Sequence, residues 1–225
     1  MKKRKWKSLQ EEFLTRDFRV AMYGSARIKK NDKSYKLIYE LGRRIGDAGV
    51  DIVTGGGPGA MEAANRGHKA GAKLNGAHSL GLTIRLPKEQ RTNDSLDIKE
   101  NFLHFTERLD RFVLLSNVVV VTPGGIGTLL ELIYTWQLIQ VGHICNMPVV
   151  LYGEMWEELI EWMKKWQLKK AFIKKDDFAY IFLAKNADDA MEIILKAREA
   201  FQDEKNPCIN IEKYKVKVPL KVRVM

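Results

Sequence analysis

The sequence VVVVTPGGIGTLLE, residues 118–131, decides the fold of this chain. Four consecutive valines are typical of a strand buried on both faces of a parallel sheet. Pro123, Gly124 and Gly125 then form a turn that carries little side-chain bulk. A helix is predicted over residues 127–140, and it carries a carboxylate, Glu131, about one turn from its start. This order of strand, turn and helix indicates one unit of an α/β fold.

The start of this helix is a candidate phosphate site. The first N–H groups of a helix have no intrahelical acceptor, and the helix dipole adds positive potential, so glycines here let an anion approach. Thr128 can add a hydroxyl donor. Because Glu131 would repel a phosphate, we interpret it as a group that acts on a substrate beside the phosphate. The alternatives are that Glu131 only complements the helix dipole and that the glycines form a tight turn without a ligand.

A second glycine cluster repeats this plan. A short strand is predicted before Gly55-Gly56-Gly57 and a helix after it, so one ligand held by both turns is expected. Gly55, Gly57 and Ala60 fit the dinucleotide fingerprint. The next predicted strand, residues 79–86, carries Arg85 but no acid for a ribose diol, so NAD and FAD are not expected. P-loop chemistry is not expected either, because no Gly-Lys-Ser/Thr sequence occurs.

Strand and helix patterns alternate along the chain. Strands are predicted over residues 18–23, 51–54, 79–86, 118–121, 148–152 and 178–183. Helices are predicted over residues 34–48, 60–70, 101–115, 127–140, 154–167 and 187–201, and a polar loop over residues 87–100. This alternation predicts an α/β fold with a Rossmann-like, doubly wound parallel sheet flanked by helices. We expect one catalytic domain over residues 18–205. A basic arm over 1–17 precedes it, and an edge strand over 206–225, where Pro219 lies on the polar face, follows it.

Composition limits the partners and cofactors. The net charge is +10, with clusters of basic residues near both ends and at Lys164, Lys165, Lys169, Lys170, Lys174 and Lys175. No nucleic-acid motif or aromatic stacking ladder is evident among these charges, so they are interpreted as solvated surface or as attraction for a nucleotide. The two cysteines and four histidines follow no metal spacing, so neither a metal nor a cofactor is expected. No secretory signal or long apolar run is found, which predicts a cytoplasmic protein without a membrane partner.

Taken together, the motifs resemble the LONELY GUY family, the phosphoribohydrolases long labelled possible lysine decarboxylases. The resemblance rests on Gly24-Ser25, on GGGPGAMEAANRG at residues 55–67, on Glu107-Arg108 and on PGGxGTxxE at residues 123–131. The sequence GLTIRLPKEQ, residues 81–90, is similar to the bacterial, longer-chain branch. One departure is Leu109, where many relatives carry a lysine after the arginine.

The resemblance implies hydrolysis of nucleoside 5′-monophosphates, AMP-like or with a modified adenine, to the free base and ribose 5-phosphate. It implies that Arg108 and Glu131 are the catalytic pair and that the glycine-rich turns bind the substrate through Gly24, Ser25, Gly55, Gly56, Gly57, Met61, Pro123, Gly124, Gly125, Gly127 and Thr128. It also implies a homodimer or a higher multiple. The helix predicted over residues 127–140 carries an apolar stripe that could serve both core and interface: Leu132, Ile133, Trp136 and Ile139.

Other interpretations stay open at this point. Related Rossmann-like proteins bind molybdenum cofactor, so a non-catalytic nucleotide or cofactor carrier is the alternative function. Arg108 could be a surface arginine in an exposed string of charged residues. His68-Lys69 is reminiscent of pyridoxal decarboxylases, but the supporting serine is missing and the pair is predicted to be solvated, so pyridoxal chemistry is not expected.

Overall fold

The computed structural model of the protein describes residues 17–85 and 91–203. The edge strand predicted over residues 206–225 lies outside the described residues, as does the basic arm apart from Asp17. The division into one domain with two extensions stays a prediction.

The described part of the chain forms a sheet of seven parallel strands. The strands are β1 (Arg19–Tyr23), β2 (Asp51–Thr54), β3 (Ser79–Ile84), β4 (Ile98–Phe102), β5 (Val118–Val121), β6 (Val149–Tyr152) and β7 (Ile181–Ala184). Their order across the sheet is β4-β3-β2-β1-β5-β6-β7. The predicted α/β class with a doubly wound parallel sheet is therefore confirmed.

Six α-helices flank this sheet in the same described ranges. They are α1 (Lys33–Asp47), α2 (Ala60–Gly71), α3 (Phe105–Leu115), α4 (Ile126–Gln140), α5 (Met155–Met163) and α6 (Ala187–Gln202). A π-helical turn, Lys164–Leu168, continues α5, and a 3-10 turn, Lys175–Phe178, precedes β7. No described helix combines the length and the apolar character that crossing a bilayer would need.

Two hydrophobic cores lie on opposite faces of the sheet. In one core, side chains of α3, α4 and α5 pack against the strands, and in the other, side chains of α1, α2 and α6 pack against the opposite face of the sheet. The four valines of β5 are fully buried, and they alternate between the cores. This burial on both faces explains why β5 is a continuous apolar run rather than an alternating one.

The stripe expected on α4 is mostly core. Leu132, Trp136 and Ile139 are buried within the chain, and only Ile133 is exposed. The predicted contribution of the stripe to the core is confirmed for these three side chains, which fill the space between α4 and the sheet. Its contribution to an interface stays a prediction.

The sequence analysis missed β4. Residues 98–102, IKENF, were predicted to lie in a polar loop and at the start of a helix, but they pair with β3, and α3 begins only at Phe105. An edge strand has a partner on one side only and is partly solvated. Its apolar signal is therefore reduced to an alternation between more and less buried positions. Phe102 is buried and Ile98 and Glu100 are partly buried, whereas Lys99 and Asn101 are exposed.

The strand order reverses between β1 and β5, and ligands of such sheets bind outside the carboxyl ends of the strands at this point. Tyr23, the last residue of β1, is in register with Val121, the last residue of β5. The turns that follow are joined, because the Ser25 N–H donates to the carbonyl of Pro123 at 3.1 Å. The two motif turns therefore lie side by side at the switch point.

Candidate active site

Arg108 and Glu131 meet in a buried position beside the switch point. Arg108 lies in the first turn of α3 and Glu131 in the second turn of α4, and Nη1 of the arginine lies 3.4 Å from Oε1 of the glutamate. Their side chains are only 10% and 12% exposed. The interpretation of Arg108 as a surface arginine is therefore wrong, although its neighbours Glu107 and Asp110 are exposed.

Three neighbours fix the position of Arg108. Its Nε donates to the carbonyl of Leu82 in β3 at 2.7 Å, and its guanidinium lies 5.0 Å from the ring centre of Phe112. A Cβ atom at Gly55 would come within 2.3 Å of Nη2, so only glycine lets the arginine pass there. Burial lowers the pKa of Arg108, and the charge of Glu131 opposes that change.

Glu131 is a carboxyl group in a poorly solvated place. Burial raises its pKa from 4.5 to about 7, and the charge of Arg108 lowers it only in part. A carboxyl group that titrates near neutrality can exchange a proton with a substrate or with water at physiological pH. The alternative in which Glu131 merely complements the helix dipole accounts for neither its burial nor its contact with Arg108.

Two residues that the sequence analysis did not name support the turn that carries Glu131. The hydroxyl of Thr135 donates its single proton to the backbone carbonyl of Glu131 at 2.9 Å. In the contact of 3.3 Å between the hydroxyls of Tyr23 and Thr135, Tyr23 is therefore the donor. Burial also raises the pKa of Tyr23, which keeps its proton in place. Thr135 follows Glu131 by four positions on the same helix face, and this spacing could have revealed it.

The N-terminus of α4 is open. Gly125 is its N-cap, and Gly125, Ile126 and Gly127 are exposed. A Cβ atom at Gly125 or Gly127 would meet no heavy atom within 4 Å of the described chain. At Gly124, by contrast, it would lie 2.1 Å from the hydroxyl of Thr128, which is buried under the turn. An anion can therefore approach at Gly125 and Gly127, whereas Gly124 is required for packing.

The second glycine loop packs against the first turn. The N–H of Ala60, at the start of α2, donates to the carbonyl of Ser25 at 2.9 Å. A Cβ atom at Gly24 would collide with Ala60 and with Thr122, so the close contact requires glycine. Met61, which is 8% exposed, lies beneath Gly55. The three predicted substrate-binding turns thus form one continuous surface at the carboxyl edge of the sheet.

An asparagine pair holds this loop from behind, and the sequence analysis missed it. Asn93 donates from its backbone to the carbonyl of Gly56 at 2.9 Å and from its side chain to the carbonyl of Gly57 at 3.0 Å. The carboxamide oxygen of buried Asn65 accepts from Asn93 at 3.0 Å and from Thr54 at 2.8 Å. No periodic pattern marks Asn93, because it lies in a loop.

His68 and Lys69 are remote from this surface. His68 is fully buried, its Nε2 lies 2.8 Å from the carbonyl of Val50, and burial lowers its pKa. The prediction that the pair is solvated is therefore wrong for His68 and right for Lys69, which is exposed. Val50 precedes β2, so His68 lies at the amino edge of the sheet, away from the turns. In the ranges 17–85 and 91–203, no group of three or more His, Cys, Asp or Glu side chains could hold a metal ion.

The sequence of the chain is similar to that of a known nucleosidase. The pyrimidine/purine nucleotide 5′-monophosphate nucleosidase of Escherichia coli strain K12 is 28% identical over 149 residues, which are 60% of this chain and 30% of that protein. The chain thus spans less than a third of that relative's length.

Two solved structures share the fold. The molybdenum cofactor binding protein of Rippkaea orientalis is 21% identical, with a TM-score of 0.60 over 81% of this chain and 97% of that one. The molybdenum cofactor carrier protein of Chlamydomonas reinhardtii is 22% identical, with a TM-score of 0.57 over 83% and 99%. Likeness at these identities concerns the fold alone.

A family model described as "Possible lysine decarboxylase" matches residues 61–194, more than half of the chain. This range contains the Arg108–Glu131 pair and the N-terminus of α4. The chain therefore belongs to the possible lysine decarboxylase family, the LONELY GUY family that its motifs resemble.

Proposed function

We propose that this protein hydrolyses the N-glycosidic bond of nucleoside 5′-monophosphates and releases the free base and ribose 5-phosphate. The observation that carries the proposal is the buried Arg108–Glu131 pair, 3.4 Å apart, beside an open helix N-terminus. Glycosidic cleavage builds positive charge on the sugar ring, and a preorganised carboxylate stabilises that charge. The name of the nucleosidase relative, which specifies nucleotide 5′-monophosphates, supports this choice of substrate.

In this mechanism the open N-terminus of α4 binds the 5′-phosphate through backbone N–H groups at Gly125 and Gly127. The ribose then lies toward Glu131, farther along the same helix. A water oxygen bonds to C1′ as the bond from C1′ to the base nitrogen breaks. The water gives one proton to Glu131, and the departing base takes up one proton from the solvent. Glu131 then releases its proton to the solvent, so that the protein returns to its starting state. Arg108 keeps a fraction of Glu131 ionised, because its charge lowers the pKa of that carboxyl group.

The alternative is a carrier that binds a nucleotide or molybdenum cofactor without turnover. The charge of Glu131 argues against it. Burying a carboxylate beside a phosphate site weakens the binding of an anionic ligand, so a site that only binds gains nothing from it. A hydrolase gains stabilisation of its cationic transition state from the same group.

The test is incubation of the purified protein with AMP, GMP, CMP and IMP, followed by chromatographic separation of bases from nucleotides. We expect release of free base from at least one monophosphate, and loss of that release in the Glu131→Gln variant. No release from any monophosphate would refute the proposal. A tightly bound, unhydrolysed ligand that co-purifies with the protein would favour the carrier.

We further propose that the protein assembles as a dimer or a multiple of it. Ile126, Leu130 and Ile133 lie on one face of α4 and are 83%, 46% and 45% exposed. An apolar face of this kind, which begins at the N-terminus of α4, is suited to contact with a second copy that would close one wall of the site. Sedimentation as a monomer at micromolar concentration would contradict this assembly.

A further inference from the structure

A second surface, far along the chain from the catalytic motifs, combines lysines with exposed aromatic rings. We call it the lysine–aromatic surface and define it by Trp162, Lys165, Trp166, Lys169, Lys170, Phe172 and Lys174. The three rings are 51%, 49% and 78% exposed. The sequence analysis found no aromatic ladder among these lysines. The exposed rings beside these lysines raise again the question of a nucleic-acid partner, which the sequence alone did not favour.

The backbone of this surface is irregular in two places. The π-helical turn Lys164–Leu168 interrupts the regular end of α5, and Ala171 has a φ of +57°, in the left-handed region that favours glycine. Such turns and such backbone angles raise the free energy of the folded chain and are concentrated at functional sites. Both irregularities lie between exposed rings of the surface.

A groove of about 190 Å³ borders the surface, between α4 and the end of α5. Trp162 forms one wall, and the carboxamides of Gln137, Gln140 and Gln167 contribute polar groups. Gln140 donates to the carboxylate of Asp177 at 2.9 Å, and Asp177 is the acid among the described residues that line the groove. A flat ring beside carboxamides can stack on a nucleobase and form hydrogen bonds with its edge.

The charge of the surface is largely uncompensated. Lys164 pairs with Glu161 at 2.7 Å, but no described acid forms an ion pair with Lys165, Lys169, Lys170 or Lys174. In a symmetric dimer through this surface, the same lysines would face each other and repel. A flat bilayer surface would not enter a groove whose lining mixes apolar side chains with three carboxamides. Charge and shape together therefore favour a flexible polyanion with flat bases.

We propose that the lysine–aromatic surface binds single-stranded nucleic acid. Bases stack on Trp162, Trp166 and Phe172, and the lysines neutralise the phosphates. This inference is independent of the proposed hydrolysis, because it involves neither Arg108 nor Glu131.

The test is fluorescence anisotropy of a labelled dT15 oligonucleotide, titrated with the full chain at several salt concentrations. Each stacked base contributes about 1–3 kcal/mol, so the double variant Trp166→Ala/Phe172→Ala is expected to weaken binding about tenfold or more. The double variant Lys169→Gln/Lys170→Gln is expected to reduce the slope of log K against log salt by about 1.4.

Matched controls lie on α1, which packs on the opposite face of the sheet. Leu37→Ala removes an exposed apolar side chain, and Lys33→Gln/Lys36→Gln removes two exposed lysines. Both are expected to bind dT15 like the unmodified protein. Equal losses in the control and surface variants would overturn the proposal, because net charge alone would then explain binding.

Two further results would also overturn it. One is loss of binding to phosphatidylcholine/phosphatidylserine vesicles in Trp166→Ala/Phe172→Ala while dT15 binding is unchanged. The other is dissociation of an oligomer in the same variant, again with dT15 binding unchanged. Base release from AMP is measured separately, so failure of the hydrolase proposal and failure of this one are distinguishable.

Discussion

Replacing Glu131 by glutamine should abolish the proposed hydrolysis and, at alkaline pH, stabilise the protein. The pKa of this carboxyl group rises from 4.5 to about 7 in the folded protein because of burial. As the pH rises, the unfolded chain releases this proton first, so the folded state loses stability through the window between these two values. Ionising Glu131 therefore costs the folded protein about 3 kcal/mol above neutral pH. Glutamine keeps the shape and avoids this cost.

The assay is thermal unfolding of the unliganded proteins at pH 5 and pH 8.5. For a protein of this size, 1 kcal/mol corresponds to about 2–4 °C, so Glu131→Gln is expected to melt about 6–12 °C higher than the unmodified protein at pH 8.5. At pH 5 the difference should fall below about 1 kcal/mol. Turnover of AMP should decrease about 10²-fold or more at pH 8.5, where Glu131 is ionised, while AMP affinity holds or improves.

Glu107→Gln is the matched control, because Glu107 is an exposed carboxylate beside Arg108 on α3. It should change neither the melting temperature nor turnover appreciably. If Glu131→Gln is less stable than the unmodified protein at pH 8.5, or if it retains normal turnover, the inference of a strained catalytic carboxylate is wrong.

Three other variants test the remaining parts of the site. Gly125→Val has room for its side chain and should fold, but it should raise the KM for AMP about tenfold or more. Gly124→Val collides with the Thr128 side chain and should instead lower the melting temperature. Arg108→Gln removes the charge that lowers the pKa of Glu131, so the acidic limb of the pH profile of kcat should move to higher pH. An acidic limb at the same pH as in the unmodified protein would contradict this electrostatic role of Arg108. Leu130→Lys should convert the proposed dimer to a monomer in sedimentation, and an unchanged mass would exclude the α4 face as the interface.

The strands around the switch point were predictable because parallel strands buried on both faces are continuous apolar runs. The four valines of β5 belong to this class. β4 does not, since an edge strand needs only half of its residues to be apolar. Tertiary pairing with β3 decides its structure, and no local pattern of residues 98–102 reports that pairing.

The two central residues of the site were named from the motifs and the family resemblance, but their burial was not predictable. Arg108 lies among charged neighbours in sequence, and only the packing of α3 against β3 brings its Nε to the carbonyl of Leu82. Tyr23 and Thr135 are 112 residues apart, so their hydrogen bond depends on how β1 meets α4. The burial of His68 was missed for the same reason, because its partner is the carbonyl of Val50, in the segment that precedes β2.

The central claim is cleavage of the bond between C1′ of the ribose and the base, guided by a phosphate site. The most direct measurement is quantification of all products formed from AMP, with adenosine as a parallel substrate. We predict equimolar adenine and ribose 5-phosphate from AMP, and slow or undetectable release of adenine from adenosine, because adenosine has no phosphate for the N-terminus of α4 to bind. Formation of adenosine and inorganic phosphate from AMP, or equally rapid cleavage of adenosine, would contradict the account.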